Sequence, residues 1–386
     1  MPGSDSSPQP HTTSRPYWAQ RLETSLGRRA VAVARRLGWR ERIEPFVGYG
    51  LEATAHGDGW VRILGRVVIS PRKRTHEVRS SLPGQARDLR EVRGWRSFFL
   101  IEVPGAVATI YVGDTVYKVT CDVGGYLDVV LPAAFEAGWR GITLVSRDGS
   151  RATAGLQVLS RSARVGLISD IDDTVMVTSV PRFFLAVWNS LARHESARAP
   201  VPGMAALYRT LAEQYSPGSL PMFYLSTGAW NIAPAMIRFI KYHGLPSGSL
   251  LMTDFGPTNT GIFRSGPVHK HRTLARLTAD FPDIRWILVG DDGQHDPVIY
   301  DEYAKTHPDR VEGILIRQLS PTQAVLAHGT VGAYPTGRSH DEGASAHPDA
   351  GLGHEPRSPR FTVRGKDGFA IIRKLESLGV LPGTRD

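Results

Sequence analysis

Cysteine and long apolar runs are scarce in this sequence, and each scarcity excludes a class of protein. The single cysteine among 386 residues cannot form an internal disulfide, and no Cys/His spacing of a structural zinc site occurs. Residues 1–15 contain no apolar stretch of signal-peptide length, and no run of about 18 apolar residues, the length of a membrane-spanning helix, occurs elsewhere. The sequence therefore predicts a folded cytoplasmic protein without a transmembrane segment.

Basic residues outnumber acidic ones, although lysines are few. The chain has 46 Lys+Arg against 37 Asp+Glu, a formal net charge of +9, which favours anionic partners such as nucleic acid, anionic lipid or a phosphorylated substrate. No nucleic-acid recognition motif accompanies the charge, so no specific nucleic-acid partner is predicted. Only seven of the basic residues are lysines, which makes the position of Lys270 informative.

Composition and periodicity divide the N-terminal half into three segments. Residues 1–16 are predicted to form a disordered leader. Apolar residues at helical spacing among many arginines predict a basic amphipathic helix over 17–44, which either packs on the protein or lies on an anionic membrane surface. Short strand-like runs broken by Gly, Pro and Asp predict an all-β, sandwich-like domain over 46–160.

The C-terminal half has a different pattern. Apolar runs that alternate with helical stretches predict an α/β domain with a parallel sheet over 161–330. Residues 331–360 are rich in Gly, Pro, Ser and His and predict a disordered linker. A C-terminal helix is predicted within 361–386.

Polar residues follow three of the apolar runs in the predicted α/β domain. The ligand sites of open α/β sheets lie beyond the C-terminal ends of their strands, so these residues are expected to converge. Taken singly, an acidic cluster is often a turn or cap and a lysine is most often solvated, but their order favours one site around a metal-bound phosphoryl group. The segments are Asp170-Ile171-Asp172-Asp173-Thr174, Ser226-Thr227-Gly228 and Gly290-Asp291-Asp292-Gly293-Gln294-His295-Asp296, with Lys270 before the last of them.

The residue types in these segments suit phosphoryl transfer. Hard carboxylate oxygens, as at Asp170 and Asp291, are the ligands that Mg²⁺ prefers. A lysine and a hydroxyl would meet the remaining phosphoryl oxygens, and an aspartate beside the metal can attack phosphorus to form an aspartyl-phosphate. Asp172 lies two residues after Asp170, so in an extended chain its side chain points to the same side and would serve as acid and then base.

The strings around these positions are similar to those of haloacid dehalogenase-type phosphohydrolases. "ISDIDDTV", "LSTGAWNIAP", "FGPTNTGIFRSGPVHK" and "ILVGDDGQHDPVIYDEYAKTHPDRV" resemble the catalytic domain of the actin-patch-associated phosphatidate phosphatase family, including its bacterial members. The resemblance is dense over about 160–320 and looser in the β-rich region. It implies a haloacid dehalogenase-like Rossmannoid parallel sheet with a small cap, preceded by the all-β domain.

The resemblance also implies residue roles. Asp170 would be the nucleophile and a Mg²⁺ ligand, and Asp172 the acid and base, with its main-chain carbonyl also on the metal. Lys270 would be catalytic and would also bind phosphate. The remaining implied roles are phosphate binding for Ser226 and Thr227, metal ligation for Asp291 and Asp296, and support for Asp173, Thr174 and His295.

A Mg²⁺-dependent phosphatidate phosphatase at an anionic membrane surface is therefore the function we expect. The short interval between the first two motifs leaves room only for a small cap and so for an open site. Two alternatives remain open, namely a phosphatase of a soluble phosphomonoester or phosphoprotein, and a non-catalytic module that binds anionic lipid.

Overall fold

The computed structural model describes residues 27, 29–71, 79–83, 100–177, 199–216, 220–253, 266–293, 295–321, 323, 344–346 and 359–383. Two sheets, of ten and seven strands, organise these residues. The predicted leader, most of the predicted small cap and most of the predicted linker lie outside the described residues. None of the described helices is both long and apolar enough to span a membrane.

The ten-stranded sheet forms the β-rich region. Strand β3 is its longest at 11 residues and pairs antiparallel with β1, β2, β5 and β8, while β10 pairs parallel with β2 and β4. The main path runs β1-β3-β2-β10-β9-β6-β7. The strands are β1 (Arg40–Pro45), β2 (Gly48–Leu51), β3 (Trp60–Ser70), β4 (Arg79–Ser80), β5 (Ile101–Glu102), β6 (Val107–Val112), β7 (Thr115–Thr120), β8 (Tyr126–Pro132), β9 (Gly138–Ser146) and β10 (Arg151–Leu159).

Alternating burial gives this sheet its own core. In β6, the side chains of Ala108, Ile110 and Val112 are buried while their neighbours are more exposed, as the period of two in a strand requires. The same core includes Val67 and the only cysteine of the chain, Cys121. The expectation of a large antiparallel β-rich region is confirmed.

The predicted N-terminal helix is wrong over its last residues. A helical segment covers 29–36 and ends in a turn at Gly38, whose φ of 79° suits the left-handed end of a helix. Residues 40–45 are strand β1 instead, where Arg42 pairs with Glu44, a partner that periodicity does not reveal. Residues 17–26 of the predicted helix lie outside the described residues.

The seven-stranded sheet forms the α/β domain, and its parallel character is confirmed. Its order is β13-β12-β11-β14-β15-β17-β16, and every neighbouring pair is parallel except β16 with β17. The strands are β11 (Val165–Asp170), β12 (Met222–Ala229), β13 (Ser249–Thr253), β14 (Arg285–Asp291), β15 (Val311–Arg317), β16 (Ala344–Ala346) and β17 (Phe361–Gly365). The helices are α1 (Met204–Tyr215), α2 (Ala233–Tyr242), α3 (Gly266–Asp280), α4 (Asp296–Thr306) and α5 (Gly368–Ser377).

The strand order places a topological switch point at the centre of the sheet. The chain proceeds from β11 outward to β12 and β13, and then returns to β14 on the other side of β11. This is the order of doubly wound α/β sheets, in which the crevice at the switch point binds ligands. Asp170 ends β11 and Asp291 ends β14, so both lie at the mouth of that crevice.

The C-terminal segment belongs to the α/β domain. The predicted helix is α5, and Asp367 caps it by accepting a hydrogen bond from Ala370 N–H at 2.8 Å. Sequence patterns missed strand β17 before it, in which polar Thr362 and Arg364 alternate with buried residues. Within the predicted disordered linker, Ala344–Ala346 form strand β16, so that prediction is wrong at these three residues.

Aromatic side chains join the two sheets. Phe46 stacks on Trp230 with ring centroids 4.4 Å apart, and Trp60 stacks on Phe281 at 5.5 Å. Tyr49 donates a hydrogen bond to Asp280 Oδ2 at 3.0 Å. These contacts make one continuous hydrophobic core across the junction.

Candidate active site

Three aspartates converge at the switch point. Asp170 and Asp291 come from the adjacent strands β11 and β14, and Asp296 begins helix α4. One carboxylate oxygen from each lies within 4.8 Å of the others, and all three residues are buried. Gly290 permits this approach, because a Cβ there would overlap the carboxylate of Asp296.

Lys270 supplies the positive charge of the site. It lies on helix α3, is 3% exposed, and its Nζ donates to Asp170 Oδ1 at 2.7 Å and to Asp296 Oδ1. Burial opposes the charged form of Lys270, but Asp170 and Asp296 outweigh it and hold the pKa of the ammonium above its usual value. The lysine therefore stays protonated between two carboxylates.

Acidic groups outnumber basic ones in this buried region. Burial raises the pKa of Asp170 well above its usual range, with Lys270 opposing and the other carboxylates adding to the rise. Burial raises the pKa of Asp291 in the same way, and the charge of Asp296 contributes next. The Lys270 ammonium and the buried Arg317 guanidinium together do not balance the carboxylates of Asp170, Asp172, Asp173, Asp291 and Asp296, so the site favours a further cation.

Asp172 lies in the turn that follows β11. Thr174 Oγ1 donates to Asp170 Oδ2 at 3.3 Å, and Ser226 Oγ donates to Asp172 Oδ2 at 3.3 Å. Asp173 has φ 54°, the only positive φ at a non-glycine position among the described residues. A left-handed aspartate costs free energy, which the surrounding contacts must offset.

The segment after Ser226 lies beside the turn that carries Asp172. Ser226 Oγ accepts a hydrogen bond from Gly228 N–H at 3.0 Å. Thr253, at the end of β13, donates to the carbonyl oxygens of Thr227 at 2.8 Å and of Gly228 at 3.1 Å. The Thr227 side chain is exposed and lies beside Gly266 at the start of α3.

The remaining predicted residues lie around this centre. Asp173 is buried beside it, whereas His295 is exposed and precedes α4. Asp292, to which the sequence analysis assigns no role, accepts a hydrogen bond from Leu319 N–H at 2.8 Å and so holds the segment after β15 to the end of β14.

Sequence reasoning missed two residues that shape the site. Arg317 ends β15, is 2% exposed, and donates from Nη1 to Asp173 O at 2.6 Å. It directly follows a predicted apolar run, so the rule that found Asp170 and Asp291 applies to it as well. Thr253 was missed because β13 itself was not predicted from its three apolar residues.

The carboxylates fit a divalent cation. Asp291 Oδ2 and Asp296 Oδ2 are buried, and no described group makes a hydrogen bond to either of them. Buried carboxylate oxygens without a donor are costly unless a cation meets them, and hard oxygen donors suit Mg²⁺.

The fold and the site define a doubly wound α/β domain with a buried acidic centre at its switch point. Residues 165–318 match the family model described as the catalytic domain of phosphatidate phosphatase APP1. The resemblance of these residues to that family is thereby confirmed. The matched range includes Asp170, Ser226, Lys270 and Asp291.

Two curated relatives match part of the chain. Phosphatidate phosphatase APP1 of Saccharomyces cerevisiae is 29% identical over 153 residues, which are 40% of this chain and 26% of the yeast protein. Uncharacterized protein C29B5.04c of Schizosaccharomyces pombe is 26% identical over 163 residues, 42% of this chain and 26% of that protein. The chain thus matches about a quarter of the length of these relatives.

Two solved structures resemble the chain weakly. A carbohydrate acetylesterase of Xanthomonas citri, XAC1771, is 10% identical with a TM-score of 0.26, covering 70% of this chain and 66% of that chain. A 2,6-sialyltransferase of Photobacterium is 10% identical with a TM-score of 0.19, covering 50% and 32%.

Proposed function

We propose that the chain is a Mg²⁺-dependent phosphatase of the haloacid dehalogenase type that hydrolyses phosphatidate to diacylglycerol and phosphate. The observation that carries the proposal is the convergence of Asp170, Asp172 and Lys270 at the switch point of a domain that matches the phosphatidate phosphatase family. The relative named for this activity supports phosphatidate as the substrate.

Asp170 would act as the nucleophile. Its carboxylate oxygen forms a bond to phosphorus as the bond to the lipid oxygen breaks, which gives an aspartyl-phosphate. Its contacts with Lys270 and Thr174 hold the carboxylate oriented, and the lysine favours its ionised form. Lys270, Ser226 and Thr227 would then hold the phosphoryl oxygens.

Asp172 would transfer the protons. It protonates the lipid oxygen as that group leaves, and then accepts a proton from the water that hydrolyses the aspartyl-phosphate. The hydrogen bond from Ser226 and the turn at Asp173 set its position. Asp170, Asp291, Asp296 and the main-chain carbonyl of Asp172 would hold Mg²⁺, which when bound neutralises charge between the carboxylate and the phosphate.

Peripheral association with an anionic membrane is part of the proposal. The side chains of Val33, within the helical segment 29–36, and of Leu37, directly after it, are 55% and 71% exposed. Arg29 and Arg36 on the same segment are also exposed. Exposed apolar side chains among arginines suit insertion at the headgroup level of an anionic bilayer.

The first test is phosphate release by wild type and by Asp170→Asn, with and without Mg²⁺. Dioleoyl phosphatidate in mixed micelles and a soluble phosphomonoester would serve as substrates. We expect Mg²⁺-dependent release that favours the lipid, and a loss of at least 1000-fold in Asp170→Asn, because the amide is not a nucleophile. Asp309→Asn, an exposed aspartate of the same domain, is the matched control and should retain wild-type rates.

The pattern of rates separates the alternatives. Release from the soluble ester alone, abolished in Asp170→Asn, would retain the nucleophile and refute the lipid substrate. No release from either substrate by wild type would refute the enzymatic proposal and favour a lipid-binding module.

A further inference from the structure

A cleft of about 420 Å³ lies at the junction of the two sheets. Its buried lining comes from both sides of the junction and contains the polar side chains of Tyr126, His269 and Thr273 besides six apolar ones, Phe46, Leu64, Leu127, Trp230, Leu251 and Met252. Its volume falls within the range of small-molecule sites, which occur preferentially between domains. The cleft contains neither Asp170 nor Asp291 and is therefore separate from the proposed catalytic centre.

Two aspartates and two arginines line the mouth of the cleft. Asp122 and Asp128 line it, but each is already engaged. Asp122 accepts hydrogen bonds from Gly124 and Tyr126 N–H groups at 2.9 and 2.8 Å, and Asp128 accepts two from Arg62 at 2.6 and 2.8 Å.

Two arginines of helix α3 face these engaged carboxylates. Arg276 approaches Asp128 only to 3.8 Å, and its buried Nε has no hydrogen-bond partner in the described part of the chain. Arg272 is exposed and makes no ion pair with any residue that the structure describes. The Arg272 guanidinium and the Nε–H group of Arg276 are therefore available to an anion, and a guanidinium binds carboxylate or phosphate in a bidentate manner.

We propose that this cleft binds a single acyl chain that ends in an anionic group. The chain packs against the apolar side chains around Trp230 and Met252, and the anionic group meets Arg272 and Arg276 at the mouth. A free fatty acid and a monoacyl phospholipid share this chemistry. A neutral lipid lacks the anionic group, and a free phosphate ion lacks the chain, so neither satisfies both halves of the cleft.

The cleft shares its structural elements with the proposed catalytic centre. Met252 precedes Thr253, which holds the main chain of Thr227 and Gly228. Arg272 lies on the helix of Lys270, two residues further on. A bound acyl chain is therefore expected to change the phosphatase rate, a consequence that rests on the proposed function, whereas the binding itself does not.

Calorimetric titration of the full chain with dodecanoate tests the binding. We expect saturable binding at a stoichiometry of one, binding of dodecanol at least tenfold weaker, and no competition from inorganic phosphate, which lacks the acyl chain. The Asp170→Asn variant should bind dodecanoate as wild type does, so loss of phosphatase activity and loss of the cleft are distinguishable. Equal binding of dodecanol and dodecanoate would refute the role of the arginines.

Two variants locate the site. Thr120→Trp places a large ring at the mouth from strand β7 and should abolish dodecanoate binding, whereas Thr115→Trp, exposed on the same strand outside the cleft, should not. Arg272→Gln should weaken binding by five- to tenfold, and Arg209→Gln, exposed on α1, should leave it unchanged. Wild-type binding in Thr120→Trp, or no binding by wild type, would overturn the proposal.

Discussion

At the scale of single residues, Arg317 illustrates how a strained turn is held. Its guanidinium donates to Asp173 O at 2.6 Å and to Gln323 Oε1 at 3.0 Å, so one side chain fixes both the left-handed residue after Asp172 and the segment after β15. A lysine ammonium lacks the fork that makes these two bonds in different directions. Arg317 is thus a positioning residue for Asp172 rather than a group that touches substrate.

Arg317→Lys should therefore lower kcat about tenfold with little change in KM, and lower the free energy of unfolding by about 2 kcal/mol through lost buried hydrogen bonds. Steady-state kinetics and urea denaturation measure the two effects. Arg373→Lys, an exposed position on α5, is the control. A change in KM alone would contradict the positioning role.

Asp291 presents the opposite case, a residue whose charge opposes folding. Its pKa is raised by burial and by the charge of Asp296, so its ionised form costs free energy in the folded protein. Asp291→Asn should raise the free energy of unfolding in the absence of metal by about 1 kcal/mol and remove the increase in Tm that Mg²⁺ gives wild type. Thermal unfolding with EDTA and with Mg²⁺ measures both, and a variant that retains the Mg²⁺ shift would remove Asp291 from the metal site.

At the scale of elements, the N-termini of α1 and α5 come into close contact. Gly203 and Gly368 meet there, and a Cβ on Gly368 would overlap the main chain of Gly203. Gly368→Ala should therefore destabilise the protein by about 3 kcal/mol, because neither backbone can yield without moving its helix. Urea denaturation measures the loss. Gly383→Ala, where a Cβ meets open space, should be neutral, and equal stabilities of the two variants would contradict this account.

Elements differ in how well the sequence predicts them. The site segments were located because each follows a buried apolar strand, and the parallel order brings strand ends together. The sequence pattern wrongly placed β1 in a helix, because it does not show how charged residues of a strand can be buried. In the structure Glu44 is buried with Arg42 and with Arg66, which is 22 residues away. Such long-range pairing makes charged residues compatible with a core, and no local pattern reports it. The left-handed conformation of Asp173 depends on Arg317 in the same way.

At the scale of the whole molecule, the helical segment 29–36 supplies an exposed apolar surface beside a basic one. Val33→Asp should reduce the fraction bound to phosphatidate-containing vesicles about tenfold, because burial of a valine side chain contributes roughly 1.5 kcal/mol or more. Vesicle sedimentation at low and high salt measures this, and wild-type binding should persist in part at high salt. Tyr242→Asp, 73% exposed on α2, is the control, and equal loss in both variants would indicate a general effect of charge.

The reactivity of Cys121 reports how often the core of the β-rich region opens. The thiol is 4% exposed, and burial together with the nearby Asp122 and Glu41 carboxylates raises its pKa to about 12. Because only the thiolate reacts with alkylating reagents, the native protein behaves towards them as if it had no cysteine. The rate at which Cys121 is alkylated therefore measures the frequency with which the β-rich core opens. A cysteine introduced on the surface would take up a fluorescent label alone, without removal of the natural thiol.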